Sequence, residues 1–220
     1  MTTKGFQKLG GYCSILLGLI YILAFIIYGG VIDYPNANAT YSERINFLSD
    51  NYQILSIMNF ISYVLFGILL TILVVSIHKR IKDYFPSLSL LTSAFGIIWV
   101  GLVIASGMIA NIGLKSIIGI GIDQPEKAIT IWSSISIVTE GLGGGNEIVG
   151  GIWVLLLSIV TFKSSLFSKS LNILGLFVGF AGILTILPYD LFKEIFGISQ
   201  IIWFIWIGIS MIRKPLISLE

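Results

Sequence analysis

Apolar runs long enough to cross a lipid bilayer recur along this chain and are almost free of charge. A spanning helix needs about 20 mostly apolar residues. Six stretches meet or approach that length: residues 10–32, 52–77, 87–113, 146–162, 171–187 and 195–212. Only 11% of the residues are charged and 56% are hydrophobic, whereas an average soluble domain is about 25% charged. Such a chain cannot wrap a single core in wetted surface, so the surplus apolar side chains must face lipid. The sequence therefore predicts an all-α integral membrane protein, one domain over residues 1–220, with six transmembrane helices and the bilayer as its first partner. The first run has no Ala-x-Ala type cleavage site around Tyr28-Gly29-Gly30. It is read as a retained helix and not as a removed signal peptide.

The charges give this partition an orientation. Lys and Arg concentrate in short cytoplasmic segments of membrane proteins. With the N-terminus inside, the inner segments hold Lys4, Lys8, Lys79, Arg80, Lys82, Lys163, Lys169, Arg213 and Lys214, and the outer segments hold Arg44, Lys115, Lys127 and Lys193. Most acids fall outside: Asp33, Glu43, Asp50, Asp123, Glu126, Asp190 and Glu194, against Asp83 and Glu220 inside. Both termini are thus expected in the cytoplasm. The net charge of +2 is too small to suggest a nucleic-acid partner. Cys13 is the one cysteine and His78 the one histidine. That excludes an intrachain disulfide and a His/Cys zinc site, and no cofactor is expected.

The outer connections carry their own helix signals. Thr40-Tyr41-Ser42-Glu43 is a capping-box pattern, and Tyr41, Ile45 and Leu48 follow at helical spacing. Asn38-Ala39-Thr40 is a glycosylation sequon on the predicted outer face, for an organism that glycosylates. Further on, Asp123-Gln124-Pro125-Glu126 is a helix start, and after Pro125 no proline interrupts the chain through Phe162. A single helix over that stretch would be about 58 Å long, against a hydrocarbon core of roughly 30 Å. The run Gly141-Leu142-Gly143-Gly144-Gly145 is the expected break. Before it, Ala128, Ile131, Trp132, Ile135 and Val138 form an apolar stripe. They predict an amphipathic helix on the outer side ahead of the fourth span.

Ionisable residues at membrane depth are costly and ask for a partner or a role. Glu140 and Glu147 are the two candidates. Glu147 lies about 22 Å from the inner end of the fourth span, in the outer half of the bilayer. Three readings of it stand open: a first-turn acid favoured by the helix dipole, an ion pair with a lysine such as Lys115, or a functional carboxylate for a cation, a proton or a cationic ligand group. Glu140 reads first as an interfacial acid. Tyr52, Ser56, Asn59 and Tyr63 share one helical face at the same depth, and Tyr21, Tyr28, Ser106, Asn111 and Gln200 add polar groups from other helices. This band predicts an outward-facing polar pocket around Glu147, Asn146, Asn59 and Tyr63, with Glu140 at its edge. The competing explanation is interhelical hydrogen bonding, at roughly 0.6 kcal/mol per bond. Gly175, Gly179 and Gly182 fit close helix packing. Trp203 and Trp206 read as packing or lipid contacts, and His78 as a solvated interfacial residue. No phosphate loop, Gly-x-Ser-x-Gly, HExxH or intramembrane aspartate pair is present. The histidine lies far in depth from both glutamates, which argues against a catalytic unit.

The stretch from Gly150-Gly151-Ile152-Trp153-Val154-Leu155-Leu156-Leu157, through Phe162-Lys163-Ser164-Ser165-Leu166-Phe167-Ser168-Lys169-Ser170-Leu171 to Gly175, resembles a family of six-span prokaryotic membrane proteins catalogued as domain of unknown function 4386. There a span ends at a short basic loop, and Leu and Gly open the next helix. Ser168 stands where that family usually has proline. The resemblance implies the same six-helix topology in a prokaryotic plasma membrane, and it implies no activity. The leading functional expectation is binding or passage of a small ligand, cation or lipid group. The alternatives are an accessory subunit acting through a membrane-protein partner or a second copy, and an intramembrane enzyme.

Overall fold

The computed structural model describes residues 3–214, and Glu220, counted above among the inner charges, lies outside the described residues. Nine α-helices and three wide i→i+5 π-turns make up the described chain, with no strand among the described residues. In order they are α1 (Thr3–Ile26) with a π-turn at Ile27–Val31, α2 (Tyr41–Asp50), α3 (Tyr52–Asn59), a π-turn at Phe60–Leu65 leading into α4 (Phe66–Ile81), α5 (Pro86–Gly121), α6 (Pro125–Thr139) with a π-turn at Glu140–Gly144, α7 (Ile148–Ser164), α8 (Lys169–Leu184) and α9 (Asp190–Arg213).

Five helical stretches are long and apolar enough to cross a membrane: Lys4–Val31, Tyr52–Ile81, Pro86–Gly121, Pro125–Ser164 and Asp190–Arg213. The remaining apolar helix, Lys169–Leu184, is shorter. Their outward faces carry bare hydrophobic side chains, among them Leu16, Leu19, Leu23, Phe60, Ile68, Ile97, Ile112, Phe177, Phe180 and Ile202. Water would not tolerate so much apolar surface on a monomer, and lipid does. The protein is an all-helical membrane protein.

The long helices form a closed ring in the order α1, α4, α5, α7, α8, α9 and back to α1. Two contacts are backbone to backbone, and glycine permits them. A Cβ built on Gly151 of α7 would lie 2.7 Å from the Gly179 carbonyl oxygen and 2.8 Å from the backbone of Gly182 on α8. A Cβ on Gly11 of α1 would lie 2.8 Å from the Gly208 carbonyl oxygen on α9. Without a hydrophobic drive inside lipid, this close approach is what brings helices together. The glycine stripe of the sequence thus packs α8 onto α7.

An aromatic core fills the ring. Phe66, Trp99, Trp153, Trp203 and Phe204 are all buried, with successive ring centroids 5.4–5.8 Å apart. Such offset or edge-on pairs add to the area they bury. Trp203 is therefore core, whereas Trp206 is exposed. Toward the loops at residues 82–85 and 165–168 the ends of the helices are rich in Lys and Arg. There Lys79 sits over the Phe6 ring at 4.6 Å and Arg80 over the Phe167 ring at 4.9 Å. His78 is half-buried and meets the Ser89 hydroxyl at 2.8 Å and the Ser93 hydroxyl at 3.1 Å. It is a link between α4 and α5, more enclosed than the sequence suggests.

The opposite end carries a second core. The span expected at residues 87–113 continues as α5 to Gly121, because α2 and α6 pack against the extension. Ile32, Ile45, Leu48, Leu55, Leu114, Ile117, Ala128 and Ile129 are buried together there. The stripe expected on α6 is rotated slightly: Ile129 is buried and Val138 is exposed. The capping box at α2 is complete. The Glu43 N–H donates to Thr40 Oγ1 at 3.2 Å, and the Thr40 N–H donates to Glu43 Oε2 at 2.7 Å. The Thr40 N–H and the Thr40 hydroxyl, both donating to Glu43 Oε2, hold the exposed Glu43 carboxyl below its ordinary pKa. Asn38 lies exposed in the turn before this box.

Candidate functional site

The glycine run breaks the helix where the sequence expects it. Gly143 adopts φ +128°, a conformation that L side chains rarely adopt. The turn resets the chain direction so that α7 begins at Ile148, with Glu147 at its N-cap. Glu147 is fixed by its backbone. Its N–H donates to Thr185 Oγ1 of the α8 end at 2.8 Å, and its carbonyl accepts from the Gly151 N–H at 2.7 Å. Its side chain makes no capping bond, so the carboxyl is free to point elsewhere.

Glu147 lines a partly open cavity of about 430 Å³ bordered by α1, the α3–α4 helix, α5 and the glycine turn. All three π-turns contribute to the wall: Tyr28 and Gly29 from the first, Ser62 and Tyr63 from the second, Gly143 and Gly144 from the third. The second lies within the continuous helix of α3 and α4, where a π-turn inserts an extra residue, widens the backbone locally and is common at functional sites; the first ends α1 and the third is the kink at Gly143. Tyr21 and Phe25 of α1, Phe66 of α4 and Trp99 of α5 complete an aromatic lining. No Lys, Arg or His lines the cavity among the described residues. Three buried polar atoms of its wall lack a hydrogen-bond partner: Glu147 Oε2, Ser62 Oγ and Trp99 Nε1. The Trp99 indole lies near the carboxyl, yet neither Nε1 nor Oε2 completes a hydrogen bond. Buried polar groups are nearly always paired, so three orphans around one cavity are notable.

The other candidates separate. Tyr63 lines this cavity and also a second one of about 610 Å³ formed by the 35–37 loop, α2, α5 and α6. Tyr28 is the other residue common to both. The two tyrosines stand between this second chamber and the Glu147 chamber. Asn59 lines the second chamber only. Its Nδ2 donates to Asn111 Oδ1 at 3.1 Å, and its Oδ1 accepts from the Tyr28 hydroxyl at 3.4 Å. Asn111 Nδ2 in turn donates to the Ser56 carbonyl at 3.1 Å, and the Ser106 hydroxyl donates to the Thr139 carbonyl at 2.9 Å. Much of the polar band therefore ties helices together. Gln200 is fully buried with an unpaired amide but does not line the cavity.

Asn146 and Glu140 belong to a different recess, beside Thr185, Pro188 and Lys193. Asn146 Oδ1 accepts from the Ile148 N–H at 3.3 Å and helps start α7. Glu140 forms an ion pair with Lys193, which also reaches Asp190 at 3.3 Å. Lys115 lies exposed beside Ser49, Tyr52 and Ile118. The ion pair of Lys115 with Glu147 that the sequence allowed is absent from the described residues.

Trp99, Ser62 and Phe25 were missed as site residues in the sequence. Trp99 carried one usable signal: with Val103, Ser106 and Ala110 it forms an i, i+4, i+7, i+11 face of α5 that is buried throughout. What results is an aromatic-rich chamber holding a single acid, which suits one positively charged group better than an anion. Among the described residues, no group of three His, Cys, Asp or Glu side chains that could hold a metal ion occurs. No family model, curated protein or solved structure matches the chain.

Proposed function

We propose that the chain crosses the bilayer six times with both termini on the cytoplasmic side, and that it binds or passes a small positively charged ligand through the Glu147 cavity, entered from the outside. The observation that carries the proposal is the Glu147 carboxyl, without a basic partner, in an otherwise uncharged, aromatic-rich chamber. Such an acid is costly in a membrane unless something positive visits it. The orientation is supported by the basic residues at the α4–α5 and α7–α8 loops. The sixth crossing is supported by α8, which pairs along its length with α7 through facing glycines. On this reading the chamber between the 35–37 loop and α6 is the vestibule, and Tyr28 and Tyr63 form the passage from it. The resemblance to the six-span prokaryotic family belongs to the same proposal, and a plasma-membrane location is proposed with it.

The proposal is tested by Glu147→Cys in a Cys13→Ser background. A small cationic methanethiosulfonate reagent added outside is expected to modify the cysteine, and a membrane-impermeant reagent added only inside is not. Modification from the inside alone, or from neither side in a correctly folded variant, removes the proposal.

A further inference from the structure

The geometry points to an organic ammonium ion, not a metal ion and not a neutral apolar molecule, as the ligand of the Glu147 cavity; this rests on the function proposed above. Size, wall chemistry and donor count each narrow the ligand. A volume of about 430 Å³ lies within the range of roughly 300–1,000 Å³ typical of small-molecule sites, far more than a bare ion fills. A hard divalent cation needs about six or more oxygen ligands. The cavity offers one carboxylate and the hydroxyls of Ser62, Tyr21, Tyr28 and Tyr63, with no second acid. A neutral apolar guest would leave Glu147 Oε2 unpartnered beside it, as it is now.

An ammonium with alkyl substituents answers each of these features. Its charge pairs with the carboxylate. Its alkyl groups lie against the side chains of Tyr21, Phe25, Tyr28, Tyr63, Phe66 and Trp99, all of which contribute to the wall. Aromatic faces attract cations through the ring quadrupole, and strongly so where water is excluded. Such cages are a known means of holding quaternary ammonium groups. A protonated amine would in addition donate to Ser62 Oγ, one of the orphaned atoms. Anionic ligands are disfavoured by the lone acid and by the lack of any basic residue in the wall among the described residues.

The test uses the full chain in lipid nanodiscs and isothermal titration with choline, tetraethylammonium, the neutral choline isostere 3,3-dimethylbutan-1-ol, Na⁺ and Ca²⁺. At least one ammonium probe is expected to bind at least about tenfold more tightly than the isostere, and Glu147→Gln is expected to erase that preference. The wild-type comparison decides even if the variant does not fold. Binding of Na⁺ or Ca²⁺ with no ammonium binding overturns the ligand class and leaves the site standing. Binding of the isostere as tight as that of both ammonium probes does the same. If no probe binds, the ligand class falls, and the cysteine-labelling result above then decides separately whether the site falls with it.

Discussion

Replacing Gly151 with isoleucine is expected to prevent the protein from being recovered as a folded, monodisperse species, and Gly151→Ala alone is expected to lower its thermal midpoint sharply. The clash is with backbone, which cannot swing aside. The added Cβ would lie 2.7 Å from the Gly179 carbonyl oxygen, 2.8 Å from Gly182 C and 2.8 Å from Ile183 N. Relief requires α8 to move away from α7 along its length. That separates a contact surface which, inside lipid, depends on close van der Waals packing. Overpacking a well-filled core costs about 1–3 kcal/mol, occasionally more, and the isoleucine variant belongs at the upper end. A thermal ramp monitored by size-exclusion chromatography reads the effect. Gly119→Ala is the control. No atom lies within 4 Å of its added Cβ, so its stability is expected within about 0.5 kcal/mol of the parent. A Gly151→Ala protein as stable as the Gly119→Ala control would show that the two helices are not packed as described.

Glu147→Gln is expected to leave the fold intact and to weaken binding of a cationic ligand by about 1.5–3 kcal/mol, the worth of a hydrogen bond to a charged group. That is at least about tenfold in affinity. The fold is expected to survive because the polar contacts that seat this residue are main-chain. The Glu147 N–H bond to Thr185 Oγ1 and the Gly151 N–H bond to its carbonyl do not involve the carboxyl, and the side chain makes no cap. Removing the charge also removes the cost of holding a carboxylate in an apolar chamber, so the thermal midpoint is expected to hold or to rise. Titration calorimetry together with a melting curve separates the two effects. A variant that melts well below the parent would assign Glu147 a structural role instead.

The architecture was legible because lipid writes itself into a sequence plainly. Runs such as residues 52–77 carry no Asp, Glu, Lys or Arg over the length of a span, and the glycine run after Thr139 announces a break in the helix. The boundaries moved where tertiary contacts outweighed hydropathy: α5 runs on to Gly121 because Ile45 of α2 and Ala128 of α6 cover it. Glu147 was legible because a lone acid at membrane depth stands out. Its surroundings were not. Trp99 looks like any lipid-facing aromatic until the ring closes around it, and Phe25, though exposed, borders the cavity. The π-turns at Ile27–Val31 and Phe60–Leu65 lie inside the apolar stretches Lys4–Val31 and Tyr52–Ile81, where hydropathy does not set them apart. Asn59 and Asn146 illustrate the converse. Both are polar at the expected depth, yet Asn59 bonds to Asn111 and Asn146 starts a helix, because an amide can satisfy backbone and neighbours as readily as a ligand. Glu140 found Lys193, a partner that sequence distance concealed.

The most direct measurement treats the wild-type protein in nanodiscs with dicyclohexylcarbodiimide, an apolar reagent for carboxyls in water-poor sites, and locates the adduct by peptide mass spectrometry. The account predicts modification at Glu147, slowed by tetraethylammonium. Glu147 left unmodified, or modified at a rate that tetraethylammonium does not change, would contradict it.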